Sequence, residues 1–153
     1  MSRPVDLSHE LEIARRLAQE AAALVRRFAE QPVAVKYKDA GEPVTEADLA
    51  ANALIVGRLA QEFPDDAILS EELPDDGSRL GRPRVWMVDP IDGTRDFVRG
   101  QPGYVVMIGL CVDDRPALGV VAHPSTGVVW SGVVGQGAWR DRTDGTRIPI
   151  VTS

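Results

Sequence analysis

Apolar residues recur at Leu11, Ala14, Leu17, Ala21, Leu24, Val25 and Phe28, spacings of three and four that gather them on one face of a helix. Asp6 or Ser8 is placed to cap its start, and Pro32 to end it. Residues 33–38 read as a short strand and 39–43 as a loop. A second helix is predicted from Thr45, with Leu49, Ala53, Val56, Leu59 or Ala60, and Phe63 on its buried side and Pro64 closing it. Two short apolar runs, 67–70 and 85–88, predict buried strands. Between them, 73–83 mixes Pro, Gly, Asp and Arg without a period and reads as a surface loop. Residues 89–93 predict a turn and 94–98 one turn of helix. The remainder is rich in strand patterns, at 105–112, 117–122, 128–134 and 148–151, with turns at 113–116 and 124–127 joining the first three as hairpins. Two helices followed by a meander give an α+β fold class: two N-terminal helices packed on one face of a largely antiparallel β-sheet. No repeat, low-complexity stretch or linker interrupts the pattern, so residues 1–153 are expected to form a single domain.

Composition narrows the function classes. Of 153 residues, 44% are hydrophobic and 26% charged, a globular profile. The net charge of −6 argues against a nucleic acid polymer as partner, since a phosphate backbone calls for a basic surface. It leaves room for a small phosphorylated metabolite, because bound metal ions invert the local field. The single cysteine, Cys111, lies in the apolar run 105–112 and is expected to be a buried structural thiol. One thiol builds neither a disulfide nor a thiolate metal site, which is consistent with a reducing, cytoplasmic location. No stretch has the length of apolar sequence that a membrane span requires, and the N-terminus shows no signal-peptide pattern.

The candidate chemistry is carboxylate chemistry. One predicted strand releases Glu71 and Glu72, and another releases Asp89 and Asp92. If both strands share a sheet, four acids meet near one point. Their repulsion then either raises their pKa values or draws in cations. Oxygen donors without His or Cys suit Mg²⁺. In Asp89-Pro90-Ile91-Asp92-Gly93-Thr94, Pro90 stiffens the turn, the Ile91 carbonyl can face a metal, and Gly93 admits a close ligand. The Gly93 and Thr94 amides at a helix start can bind phosphate. Thr45-Glu46-Ala47-Asp48 fits a capping box with Asp in place of the usual Glu. His9 and His123 are read as bystanders, and Trp86, Trp130 and Trp139 as core or sheet-face residues.

The hexapeptide after a buried strand resembles the signature of the inositol monophosphatase superfamily. Other stretches resemble it in the same order: residues 43–48 its Val-Thr-x-x-Asp helix start, 69–72 its Glu-Glu motif, 119–121 its Gly-Val-Val strand, and 135–139 its Gly-x-Gly-Ala turn. The resemblance runs from about residue 7 to the C-terminus. It implies the first domain of the sugar-phosphatase fold and a Mg²⁺-dependent phosphomonoesterase using two or three ions. Glu71, Asp89, the Ile91 carbonyl and Asp92 are then metal ligands, with Glu71 also counted among the catalytic residues. Asp48 and Thr94 orient and activate the attacking water, and the Gly93 and Thr94 amides hold the phosphate. Glu72 becomes an outer or additional metal contact. Lys38 aligns with a lysine of the bisphosphate nucleotidase branch, the alternative being a solvated strand-end lysine.

Within the superfamily, Ser70-Glu71-Glu72 and Gly93-Thr94-Arg95-Asp96-Phe97 resemble the bacterial 3′(2′),5′-bisphosphate nucleotidases, although Arg95 and Asp96 keep only the charge pattern of Lys-Glu. That points to adenosine 3′,5′-bisphosphate, with inositol 1-phosphate as the alternative. The family's second α/β domain, with its Trp-Asp-x-Ala-type motif and a further metal ligand, has no counterpart here. The chain is therefore expected to be the N-terminal half only: a fragment, a truncated frame or part of a split protein. That leaves open self-association, a complementary chain, and a non-catalytic role in binding metal or phosphate.

Overall fold

The computed structural model describes residues 5–38, 41 and 43–151. Helix α1 spans Ser8–Ala29, and its buried stripe of Ala14, Leu17, Ala18, Ala21, Ala22 and Val25 follows the predicted face. The expected cap is corrected: Leu7, not Asp6 or Ser8, is the N-cap residue and no side chain caps the helix, although the Asp6 carboxylate just before it accepts the Ser8 N–H at 2.9 Å. A two-stranded ribbon follows, β1 (Val35–Tyr37) against β2 (Pro43–Thr45). Sequence pattern anticipates β1, though two residues too early, and misses β2, which is too short to show alternation. Residues 39, 40 and 42 of the predicted loop lie outside the described residues.

Helix α2 spans Glu46–Glu62 and buries Ala47, Asp48, Ala51, Asn52, Ile55 and Leu59. This corrects the predicted face, because Leu49 is 48% exposed and Ala53 and Ala60 also face solvent. Apolar periodicity alone misjudges the register, since two polar residues, Asp48 and Asn52, occupy the inner stripe. Both are hydrogen-bonded there.

The main sheet has seven strands in sequential order: β3 (Ala67–Ser70), β4 (Arg84–Asp92), β5 (Val105–Val112), β6 (Arg115–Ala122), β7 (Val129–Val133), β8 (Gly137–Asp141) and β9 (Arg147–Pro149). Only the β3–β4 pair is parallel, so the sheet is largely antiparallel as expected. Strand β4 continues past the predicted turn at Asp89 and bulges before Asp92. Helix α3 is Thr94–Val98. Strand β8 replaces what sequence pattern reads only as a turn, because Gly137 opens it and Gly135 stands just before it, which dilutes the alternation. Both long helices pack on one face, α1 over β5, β6 and β7, and α2 over β3 and β4. Trp86, Val106, Ile108, Leu110, Val120 and Val129 meet them from the sheet.

Polar contacts seal one end of this core. Arg84 binds Asp66 through two nitrogens, at 3.1 and 3.0 Å, and Glu10 at 2.7 Å, while the Trp86 indole N–H donates to Asp66 at 2.9 Å. The other sheet face carries a register row of Met87, Gly109, Gly119, Gly132 and Ala138 on five adjacent strands. Cys111 points to this face and is half-buried rather than enclosed, with its thiol 3.7 Å from the Met87 sulfur. No helix among the described residues is long and apolar enough to cross a membrane.

Asp113 and Asp114 form the two-residue β5–β6 turn with φ of 51° and 63°. Left-handed φ at both central residues is the turn geometry that matches strand twist and favours glycine. Asp114→Gly is accordingly expected to raise stability by about 0.5–1 kcal/mol, read as an increased urea midpoint at constant slope.

Candidate metal and phosphate site

The parallel pairing of β3 with β4 sets Ser70 beside Val88, so the two strands deliver their acids side by side. The Glu71 N–H donates to the Val88 carbonyl at 3.1 Å and extends the pairing to the first acid of each strand end. Glu71, Glu72, Asp89 and Asp92 line one open pocket of about 440 Å³, joined by Lys38, Ile91, Gly93 and Thr94. Every residue proposed as metal ligand or phosphate contact therefore borders the same space. Pro43, Arg95 and Asp96 complete its wall.

The acids feel one another. Asp89 is pushed up to about 7, first by its burial, then by the charges of Asp92, Glu71, Glu72 and Asp48. Glu72 is drawn to Lys38 at 3.1 Å, which gives that lysine a partner in the pocket instead of a place at a solvated strand end. Among the described residues no three of these groups are already gathered tightly enough to hold a metal; they border the pocket rather than close on it.

Asp48 stands behind the pocket, without solvent exposure. The capping box is present in full. Asp48 Oδ2 accepts the Thr45 N–H at 2.8 Å and the Thr45 hydroxyl at 2.6 Å, and the Asp48 N–H donates to Thr45 Oγ1 at 3.3 Å. Its other oxygen, Oδ1, lies 2.9 Å from Thr94 Oγ1, across 46 residues of chain. The Thr94 hydroxyl has a second acceptor in the Ile91 carbonyl, at 3.1 Å. The side chain that caps α2 is thus also the one that reaches Thr94.

Gly93 precedes α3 with φ of 92°, a left-handed conformation that suits glycine. A Cβ there would fall 2.9 Å from the Gly103 carbonyl oxygen, so the backbone is both twisted and crowded at the hinge between Asp92 and Thr94.

The sequence pattern of the inositol monophosphatase family matches residues 6–153. The chain belongs to that family. The relatives of this inositol monophosphatase family chain differ in the activities for which they are named. It is 39% identical to a histidinol-phosphatase of Chlorobaculum parvum, over 87% of this chain and 51% of the relative. It is 32% identical to a 3′(2′),5′-bisphosphate nucleotidase CysQ of Aggregatibacter actinomycetemcomitans, over 96% and 55% respectively. Among solved structures, Mycobacterium tuberculosis SuhB shares 33% identity and a TM-score of 0.77, covering all of this chain and 54% of SuhB. The chain spans about half the length of the curated relatives it matches.

Asn52, which accepts the Ser70 hydroxyl, is a buried polar residue that the residue patterns do not single out. Its signal is a polar residue one turn beyond Asp48, on a face otherwise reserved for the core. His9 and His123 do not line the pocket: His9 lies edge-on to Phe63, and His123 Nε2 is 2.7 Å from the Pro102 carbonyl.

The elevated Asp89 pKa has a stability consequence. Between its ordinary value of 3.8 and about 7, the folded protein holds a proton that the unfolded chain has released. Stability from this group therefore declines as pH rises through that window and is level above it. With chelator present, Asp89→Asn is expected to melt higher than wild type at pH 8 and alike at pH 4. Parallel melting curves at both pH values would contradict this.

Proposed function

We propose that this chain carries the water-activating and metal-binding half of a Mg²⁺-dependent phosphomonoesterase acting on a small phosphorylated metabolite. The observation that carries the reading is the meeting of Glu71, Glu72, Asp89 and Asp92 at one pocket, with Asp89 raised by its burial and then by its acidic neighbours. The donor set fits a hard cation: Glu71, Asp89, Asp92 and the Ile91 carbonyl offer oxygen alone. When bound there, Mg²⁺ acidifies water and offsets phosphate charge.

The chain's own residues supply the rest. With the Ile91 carbonyl committed as a ligand, Asp48 Oδ1 is the acceptor left for the Thr94 hydroxyl. Thr94 Oγ1 then turns a lone pair to the pocket and accepts a hydrogen bond from the attacking water. As that water attacks, its proton moves to Thr94 Oγ1 while the Thr94 proton moves to Asp48 Oδ1. The Gly93 and Thr94 amides, at the start of α3, hold the phosphate by their N–H groups. Lys38 offsets the Glu72 charge at 3.1 Å, leaving the other acids to the cations.

For the substrate, Ser70-Glu71-Glu72 and the basic-then-acidic pair Arg95-Asp96 support adenosine 3′,5′-bisphosphate. A second reading, histidinol phosphate, is favoured by the 39% identity to a histidinol-phosphatase. Inositol 1-phosphate has support in a 34% identical inositol monophosphatase 1 of Solanum lycopersicum.

Phosphate release from the three substrates, with and without Mg²⁺, tests the reading. Asp92→Asn is expected to remove Mg²⁺-dependent release and to weaken Mg²⁺ binding in calorimetry. Mg²⁺ binding without any release supports a non-catalytic binding domain instead, and absence of both defeats the proposal. Gly93→Ala is expected to cost about 1–3 kcal/mol of stability through its positive φ, measured by urea unfolding.

A further inference from the structure

The buried face of α2 carries two polar side chains one helical turn apart, and the pairing of Asp48 with Thr94 accounts for one of them. The other, Asn52, is 7% exposed. Its Oδ1 accepts the hydroxyl hydrogen of Ser70 across the contact between α2 and β3. Ser70 is itself buried, and its oxygen accepts the Glu72 backbone N–H at 3.3 Å. The three groups form one directed chain, from the Glu72 amide through the Ser70 hydroxyl to the Asn52 carbonyl. A serine hydroxyl has one proton, and here the asparagine oxygen receives it. For packing α2 on the sheet, an apolar residue at position 52 would suffice and would avoid the cost of burying an amide. What asparagine adds is an anchor at the point where β3 stops and its two glutamates begin.

We propose that Asn52 is a positioning residue for the metal pocket, acting through Ser70 to fix the backbone from which Glu71 and Glu72 project. This rests on reading that pocket as a metal site. Helix α2 then serves both strand ends from one face. Asp48 meets Thr94 after β4, and Asn52 meets Ser70 at the end of β3, whose oxygen in turn accepts the Glu72 amide N–H. A single rigid element sets the spacing of the two acid-bearing segments, and a site so supported is more exact than one hung on loops.

Calorimetric Mg²⁺ titration of the full chain, paired with thermal melts, tests this. Loss of an outer partner of a ligand weakens metal binding about 10-fold, so Asn52→Leu is expected to raise the Mg²⁺ Kd by about that factor. Ser70→Ala is expected to do the same, and the double variant to be no weaker than either single, because both act through one chain of hydrogen bonds. Asn52→Asp keeps an acceptor oxygen and is expected to bind at least as tightly as wild type. Leu59→Ala, a core cavity two turns along the same helix, is expected to lower the melting temperature and leave Kd unchanged. A wild-type chain that takes up no Mg²⁺ overturns the metal reading and the proposal with it. Wild-type binding that Asn52→Leu leaves intact, or losses that multiply in the double variant, overturn the role of Asn52 alone. If Asn52→Leu does not fold, an unchanged Kd for Ser70→Ala is the overturning result.

Discussion

A carboxylate removed from water costs several kcal/mol unless donors surround it, and Asp48 is removed completely. The surrounding donors come from two distant parts of the chain. The Thr45 amide and hydroxyl serve one oxygen, at 2.8 and 2.6 Å, and the Thr94 hydroxyl lies 2.9 Å from the other. The start of α2 adds the favourable end of a helix dipole. Satisfying this one group therefore requires the capped helix start, the β4 exit and the short helix α3 to be in their places together. The local cap and the long-range contact are a single condition, so the helix cannot be seated without the site being partly assembled.

The remaining acids follow the opposite logic. Glu71, Glu72, Asp89 and Asp92 are held near one another by uncharged backbone, the parallel β3–β4 pairing and its extension through the Glu71 amide. Their side chains border the pocket, and there burial, and then the charges of its neighbours, raise the pKa of Asp89. Firm backbone with unreconciled charge is what a cation site needs beforehand, because the folding energy of the sheet has already met the cost of crowding.

How much of this was legible follows from which signals are local. The carboxylate turn, the Glu pair and the helix cap are short motifs whose chemistry is written in adjacent residues, and all meet at or behind the pocket. Apolar runs and strand patterns locate six of the seven main-sheet strands, and helical spacing locates both long helices. These patterns fail where tertiary contacts override them. The inner face of α2 was misassigned because Asp48 and Asn52 are buried by partners at Thr94 and Ser70, which no spacing rule reveals. Strand β8 escapes sequence reading because Gly137 opens it directly after Gly135-Gln136, which reads as a turn. Cys111 sits in an apolar run yet is only half-buried, since the run alternates between a covered and an uncovered face.

The row of Gly109, Gly119 and Gly132 marks that uncovered face with peptide planes instead of side chains. A Cβ at Gly119 would touch nothing among the described residues, and at Gly109 and Gly132 it would make ordinary contacts, none closer than 3.5 Å. Glycine inside a strand gives up more freedom on folding than alanine does, by roughly 0.5–1 kcal/mol. The middle of the sheet is thus less stable than its own geometry permits, a dormant reserve of robustness lying on the side of the molecule away from the helices.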